Sequence, residues 1–231
     1  MPPTNAIPFL GESCALAAAF CWSIATIMFR RSGEKVAPLA LNLYKNVLAL
    51  LLFGVTLVLA RCWPTGPVSN QDRLLLLVSG GIGIGLSDVL FFITLNRVGA
   101  GLQAIITTSY SPSIIALSVI FLHERLTTVQ CTGIALILTA VGIVAYDRSG
   151  HGHVARRTMT SGVVCGLLAT ATQAVSIVMI KRLLEQTPLV WANAWRLIGG
   201  VSVSALLFVL LPTRRRDLRP LQAPRNWLAL A

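Results

Sequence analysis

The chain has 231 residues, of which 55% are apolar and only 12% charged, and its mean hydropathy is +0.76. Soluble domains carry about 25% charged residues, so this composition excludes an ordinary soluble protein and indicates that the lipid bilayer is the main solvent. The net charge of +11 comes from basic residues in short segments between apolar stretches, without an aromatic and basic platform, which argues against nucleic acid as a partner.

Seven apolar stretches are long enough to cross a bilayer, because a helix needs about 20 mostly apolar residues to do so. They cover residues 12–29, 39–60, 74–95, 100–122, 128–145, 161–180 and 189–211, and an eighth begins at Trp227. The first is predicted to be a retained helix rather than a signal peptide, since no Lys or Arg precedes it and Arg30 and Arg31 follow it. The sequence therefore predicts an all-α, multi-pass protein of the cell membrane, inner or plasma.

Two charged residues of opposite sign lie inside the second and third spans. Lys45 is about 10 Å deep at 1.5 Å per residue, and Asp88 lies at a similar depth from the same face because the two helices are antiparallel. A charge near the bilayer centre costs about 2.5 to 3.5 kcal/mol, so we predict an ion pair. Two interpretations stay open: a structural pair that locks the two helices, and a proton- or substrate-responsive pair at a transport site.

The fourth span is unusually polar for a lipid environment. Pro112 removes a backbone hydrogen bond there and is expected to kink the helix. We predict that this helix lines an aqueous path, with Gln103, Thr107 and Tyr110 as substrate-binding candidates. The alternative is that the hydroxyl groups bond back onto their own helix.

Small residues recur at the spacing that lets helices approach closely. Gly81 and Gly85 lie in the run GIGIG, and Gly162 and Gly166 in the run GVVCG. These spacings predict tight helix packing rather than chemistry.

The second part of the chain repeats the first, in reduced form, at an offset of 151 residues. The paired positions are Gly11, Met28, Arg30, Arg31, Asn42, Tyr44 and Lys45 with Gly162, Met179, Lys181, Arg182, Asn193, Trp195 and Arg196. Five crossings per copy would turn the second copy upside down, an arrangement typical of transporters. We predict a first repeat over residues 1–150 and a second over 160–231 that holds two helices and the start of a third. The sequence is then expected to be a fragment of a protein of roughly 300 residues or a natural truncation.

Arg196 is the counterpart of Lys45 in the second repeat. Inversion would place these two cations on either side of the midplane, where they can receive an anionic or zwitterionic group of a substrate. The alternative is that Arg196 extends along its stem to the near membrane interface. The neighbouring side chains predicted to line the same cavity are Asn42, Tyr44, Asn193 and Trp195.

The basic residues between the spans favour one orientation. Twelve Lys and Arg follow spans one, three, five and seven, and five follow spans two, four and six. Because basic residues concentrate on the cytoplasmic side, this count places the N-terminus outside. Arg30 and Arg31 recur as Lys181 and Arg182 on the opposite face, but without these two pairs the count is still ten against three.

Residues 83–146 resemble the end of an EamA domain, of the drug/metabolite transporter superfamily. The strongest element is the run FLHERLTTVQCTGIALILTAVGIV, which is similar to the family's turn between helices four and five and the glycine-spaced helix that follows. In this chain the matching residues are Leu122, Glu124, Arg125, Gly133 and Gly142. The resemblance implies ten helices in two inverted five-helix repeats, a central substrate cavity and alternating access. It also implies a cytoplasmic N-terminus, opposite to the charge count.

No cofactor or metal site is predicted. The five cysteines lack metal-type spacing, and no phosphate-binding GxxxxGK[ST] loop is present. We therefore predict a secondary transporter that exports a small metabolite or drug-like compound, with Asp88 as the candidate for proton coupling and Glu12, at the entrance of the first span, as a poorer one.

Two other functions stay open at this point. The chain could be a truncated membrane protein that does not transport and acts through a partner, including a homodimer. A membrane-embedded lipid-modifying enzyme is less favoured, because such chemistry needs a convergent nucleophile, base or metal cluster. The histidines are His123, His151 and His153, and the latter two, which flank Gly152 in a loop, are a weak candidate for a metal site.

Overall fold

The computed structural model describes residues 9–61, 63–64, 68–122, 126–151 and 156–210. Within these ranges the regular structure is entirely helical. The helices are α1 (Leu10–Gly33), α2 (Pro38–Leu59), α3 (Asn70–Gly80), a π-helical segment (Gly81–Leu86), α4 (Ser87–Thr107), α5 (Tyr110–Leu122), α6 (Thr128–His151), α7 (Arg156–Gln186) and α8 (Leu189–Leu210). The predicted positions Glu124, Arg125 and Trp227 lie outside the described residues.

The helices have the length and polarity of a multi-pass membrane protein. Five helical stretches among the described residues are long and apolar enough to cross a bilayer, and two shorter apolar helices cover Tyr110–Phe121 and Thr128–Val144. Large apolar side chains also cover the outside of the bundle: Leu59 is 79% exposed, Val129 80% and Val209 79%. Such an apolar exterior suits lipid rather than water. The predicted all-α polytopic fold is confirmed.

Local chemistry sets several of the helix ends. Pro38 occupies the first turn of α2, where its fixed φ suits a helix and its missing N–H is not needed. At the start of α3, the Ser69 side chain accepts from Gln71 N–H, and the Asp72 carboxylate accepts from Ser69 N–H. This capping box starts α3 at Asn70, ahead of the predicted residue 74, because the first turn is polar and carries no hydropathy signal.

The predicted boundary between the third and fourth spans coincides with a break inside α4. Gly99 has φ 83° and ψ 168° there, a conformation essentially restricted to glycine. A methyl group at this position would meet no atom within 4 Å. The requirement for glycine is therefore one of backbone conformation and not of space.

Substitution of Gly99 with alanine is expected to lower the free energy of unfolding by about 1 to 3 kcal/mol, because alanine must be forced into that conformation. The matched control is Gly54→Ala, a helical position that also has no atom within 4 Å. Alanine should be neutral or stabilising there by up to about 1 kcal/mol. SDS titration in mixed micelles measures both, and equal effects at the two positions would contradict the backbone explanation.

The π-helical segment is a feature that the sequence did not predict. Its wider turn ends where the Ser87 N–H donates to the Ile82 carbonyl. Two side-chain amides of α2 donate hydrogen bonds to backbone carbonyls of this segment. Asn42 Nδ2 lies 3.1 Å from the Ile84 oxygen and 3.2 Å from the Gly85 oxygen, and Asn46 Nδ2 lies 3.4 Å from the Ile84 oxygen. Both asparagines are fully buried. They anchor to α2 the stretch that leads directly into Asp88.

Glycines bring the neighbouring helices into close contact, as their spacing predicts. α4 packs most extensively against α7, and α8 packs against α2, α3 and the π-helical segment. On α7, a methyl group at Gly162 would lie 2.5 Å from Val98, and one at Gly166 would lie 2.7 Å from Ile106. At Gly85 it would lie 2.8 Å from Val203 of α8. The predicted role of these glycines in close packing is confirmed.

Candidate substrate cavity

The predicted ion pair between α2 and α4 is present. Lys45 Nζ donates to the Asp88 carboxylate, and the two side chains are 28% and 25% exposed. Lys45 Nζ also lies 5.8 Å from the centre of the Phe92 ring, within the range of a cation–π interaction. Asp88 owes its position to the π-helical segment, since it lies in the first turn of the helix that follows.

Arg196 lies inside the bundle, with 6% of its surface exposed. Its guanidinium donates to Asn193 Oδ1 and to Ser176 Oγ, both at 3.3 Å, while its Nε has no acceptor. The side chain is thus retained within the protein, and extension to a membrane interface, the alternative expectation, is not what the structure shows.

A cavity of about 260 Å³ lies beside Asp88, between α1, α4, α5 and α7. We call it the central cavity. Its polar lining consists of Ser87, Asp88, Gln103, Thr107, Tyr110, Thr170 and Gln173. A second cavity of about 370 Å³, the side cavity, adjoins it along α1. Both cavities are lined by Trp22, Phe91, Gln103 and Thr107. Four of the predicted site residues, Asp88, Gln103, Thr107 and Tyr110, are brought together here.

The fourth span breaks where its polar residues cluster. α4 ends at Thr107 and α5 begins at Tyr110, just ahead of Pro112. The hydroxyls of Thr107 and Thr108 donate to carbonyls of their own helix, at 2.9 and 2.7 Å. The break in the helix and the hydrogen bonds from hydroxyls to carbonyls of the same helix therefore occur together. Thr107 donates such a hydrogen bond and also lines the cavity.

The remaining predicted residues support the site from outside its lining. Asn42 is held by the π-helical segment, as described above, and Asn193 holds Arg196. Trp195 lies near Trp191, with ring centres 6.0 Å apart, and the Arg73 guanidinium lies 5.9 Å from its ring centre. Tyr44 is half-buried on α2 beside Lys45. Substrate contact by these four side chains stays a prediction.

Sequence reasoning missed the contribution of α7. Thr170 and Gln173 line the central cavity, and the fully buried Ser176 accepts from Arg196. These three polar residues recur at every third position, which is the spacing of one helix face, and this signal could have found them. Trp22, another lining residue, occupies the position equivalent to Gln173 at the repeat offset of 151.

Comparison with known proteins adds the family. Residues 9–146 match the EamA-like transporter family. An uncharacterized transporter of Archaeoglobus fulgidus is 24% identical over 203 residues, which cover 88% of this chain and 68% of that protein. Another uncharacterized transporter of the same organism is 22% identical over 198 residues, which cover 85% of this chain and 66% of that protein. The chain thus spans about two thirds of the length of these relatives. Since the family match takes in more than half of its residues, the chain is a multi-pass membrane protein that belongs to the EamA-like transporter family.

Proposed function

We propose that this protein is a secondary transporter that carries a small molecule through the central cavity by alternating access. The observation that carries the proposal is the cavity itself, a space inside an apolar bundle whose lining includes several polar side chains and the carboxylate of the ion pair, Asp88. Ionisable groups inside a membrane are expensive and usually mark a transport pathway. Membership of the family and the transporter names of both relatives favour transport over catalysis.

We further propose that the pathway lies between two inverted repeats, divided between residues 150 and 160. Trp22 and Gln173, which the offset of 151 residues also pairs, both line the central cavity. Lys45 and Arg196, also equivalents, lie on α2 and α8, and these helices pack against each other. One pair of equivalent positions that lines the cavity and another on helices that pack together support the repeat. Assembly as a homodimer stays a prediction.

Asp88 is our candidate for coupling transport to a proton gradient across the cell membrane. Its carboxylate lines the cavity and holds Lys45, so a proton arriving there would compete with the lysine for the same oxygen. Release of Lys45 would free α2 from α4 and couple protonation to helix movement. In this scheme the compound leaves the cell as protons enter.

The test is uptake into proteoliposomes with an acid interior, supplied with a mixture of small metabolites and analysed by mass spectrometry. The wild-type chain should accumulate at least one compound, and Asp88→Asn should reduce its accumulation by at least about tenfold, equivalent to about 1.4 kcal/mol in the barrier. Glu12→Gln is the matched control, because Glu12 lies exposed in the first turn of α1, away from the cavity.

Accumulation by Asp88→Asn at the wild-type level would remove this carboxylate from the mechanism. Wild-type vesicles that accumulate nothing beyond protein-free vesicles would overturn the proposed transport. Both variants must first elute as monodisperse protein, so that a loss of uptake is not a loss of fold.

A further inference from the structure

A groove of about 550 Å³ lies at one end of the bundle, between the start of α3 and the ends of α5 and α7. We call it the interfacial groove. It is lined by Asp72 and Leu75 of α3, by Leu117 and Phe121 of α5, and by one face of α7. Among the described residues, its lining shares none with the central cavity or the side cavity. The proposed transport pathway therefore does not account for this groove.

The α7 wall of the groove changes character along its length. Val175, Val178, Arg182 and Gln186 line the groove, and they follow one another at intervals of three or four residues, the spacing of one helix face. The first two are apolar and the last two are polar. Val175 lies about 10 Å from Arg182 along the axis, at 1.5 Å per residue. The groove is thus apolar at one end and polar at the other.

The polar end lies at the depth of the lipid headgroups. The apolar stretch predicted to cross the bilayer ends at residue 180, and Lys181 and Arg182 follow it directly. α3 begins at Asn70 and α5 ends at Leu122, close to the residues with which they line the groove. Since helix ends and basic residues mark the membrane surface, the apolar end of the groove lies at the depth of the acyl chains.

The polar end has an excess of positive charge. Its lining contains two cations, Lys181 and Arg182, and one carboxylate, Asp72. That carboxylate already accepts from the Ser69 N–H in the capping box of α3. Arg182 is exposed and forms neither a hydrogen bond nor an ion pair within the described part of the chain. A guanidinium matches the geometry of a phosphate group, which two of its N–H groups can bind together.

The equivalent basic pair of α1 is used differently. Arg30, the counterpart of Lys181, donates to the Asn96 carbonyl at 2.7 Å, and Asn96 Nδ2 donates to the Gly33 carbonyl at 3.1 Å. These bonds tie the end of α1 to α4. The basic pair of α7 instead borders an open groove, so its role is not explained by the repeat.

We propose that the interfacial groove binds an anionic phospholipid of the surrounding bilayer. The phosphate lies at Lys181 and Arg182, and an acyl chain lies along Val175, Leu117 and Phe121. A free anion would use only the polar end, and a zwitterionic lipid would bring a cation of its own towards the two basic residues. Basic pockets between helix ends bind anionic headgroups in this way. The site goes beyond the proposed function and does not depend on transport.

The test is native mass spectrometry of the delipidated full chain, titrated with dioleoylphosphatidylglycerol and dioleoylphosphatidylcholine, which have the same acyl chains. Phosphatidylglycerol should bind at least about fivefold more tightly, because it lacks the choline cation that opposes Lys181 and Arg182. Equal binding of the two lipids, or no bound lipid, overturns the proposal.

Variants of α7 test the headgroup contact. Arg182→Gln should weaken phosphatidylglycerol by about fivefold, whereas Arg182→Lys keeps the charge and should retain most of the binding. Arg157→Gln is the matched control, because Arg157 is an exposed arginine at the other end of the same helix. An equal loss in Arg157→Gln would mean that surface charge attracts the lipid without a site, and it would overturn the proposal.

A bulky side chain tests the contact with the acyl chain. Val175→Trp fills the apolar end of the groove and should weaken phosphatidylglycerol by about fivefold. Leu168→Trp, at an exposed position two turns earlier on α7, is the control and should bind like the wild type. Binding by Val175→Trp at the level of this control would remove the acyl chain from the groove and overturn the lipid assignment.

Two other occupants are tested in the same spectra. Glycerol 1-phosphate at millimolar concentration should leave phosphatidylglycerol bound, since it has no acyl chain. Its displacement of the lipid would identify a site for free anions and overturn the proposal. A lipid-free dimer that Val175→Trp dissociates would assign the groove to a second copy of the chain and would overturn it as well.

Discussion

Alanine at Gly80 is expected to destroy the contact between α3 and α8 and to lower the free energy of unfolding by about 4 kcal/mol or more. A methyl group there would lie 1.8 Å from the Arg196 carbonyl oxygen, whereas real Cβ atoms essentially never approach another atom within 3.0 Å. Overpacking against side chains costs about 1 to 3 kcal/mol because they can turn away. Here the obstacle is backbone, and the partner glycine is equally confined: a methyl group at Gly199 would lie 2.0 Å from the Leu77 oxygen.

The measurement is SDS-induced unfolding in mixed micelles, with Gly133→Ala as the control, since a methyl group there meets no atom within 4 Å. Separation of α3 from α8 would also displace the backbone of Arg196, so Gly80→Ala should accumulate less compound in the uptake assay even where it stays folded. A Gly80→Ala protein as stable as Gly133→Ala would show that the two helices do not touch at this point.

Removal of Lys45 is expected to destabilise the protein by about 2 to 3 kcal/mol, because Lys45→Met leaves the Asp88 carboxylate without its partner. Breaking a buried ion pair costs about 3 to 5 kcal/mol, and the value is reduced here because the two side chains are 28% and 25% exposed. Asp88→Leu should lower the free energy of unfolding by a similar amount, because it leaves the Lys45 ammonium without its partner. The double variant Lys45→Met, Asp88→Leu buries no charge at this position and should recover most of the lost stability.

A double-mutant cycle of the four proteins by SDS titration gives the coupling energy directly. Its outcome also decides between the two roles open for the pair. A double variant that is stable but inactive in the uptake assay assigns the pair to transport. A double variant whose loss of stability equals the sum of the two single losses would mean that Lys45 and Asp88 do not interact in the membrane.

The sequence predicted those features of the fold that arise locally. The second span was predicted at 39–60 and is found at Pro38–Leu59, and the seventh was predicted at 189–211 and is found at Leu189–Leu210. Both follow from the length of an apolar run, which the bilayer itself imposes. The ion pair could be predicted as well, because burial depth in an antiparallel pair of helices depends only on distance along the chain.

Features that depend on contacts between distant helices could not be predicted in this way. The π-helical segment relies on amides of Asn42 and Asn46, about forty residues earlier in the chain. Gln173 is polar within an apolar helix, but only the packing of α7 against α4 makes it a wall of the same cavity as Gln103. Nearness to Arg196 in sequence predicts that Trp195 lines the cavity, yet adjacent side chains on a helix point about 100° apart.

The direction in which Asp88 points around the helix axis depends on the π-helical segment before it. Such a segment contains more residues per turn than an α-helix, and it is equivalent to an insertion of a single residue into an otherwise regular helix. Deletion of one residue from GIGIGL would rewind the stretch and rotate everything after it by about 100° about the axis. The carboxylate would then turn away from α2, although no neighbour of Asp88 had been altered. In any protein aligned to this one, a one-residue gap at this point therefore signals a different side chain facing the pathway.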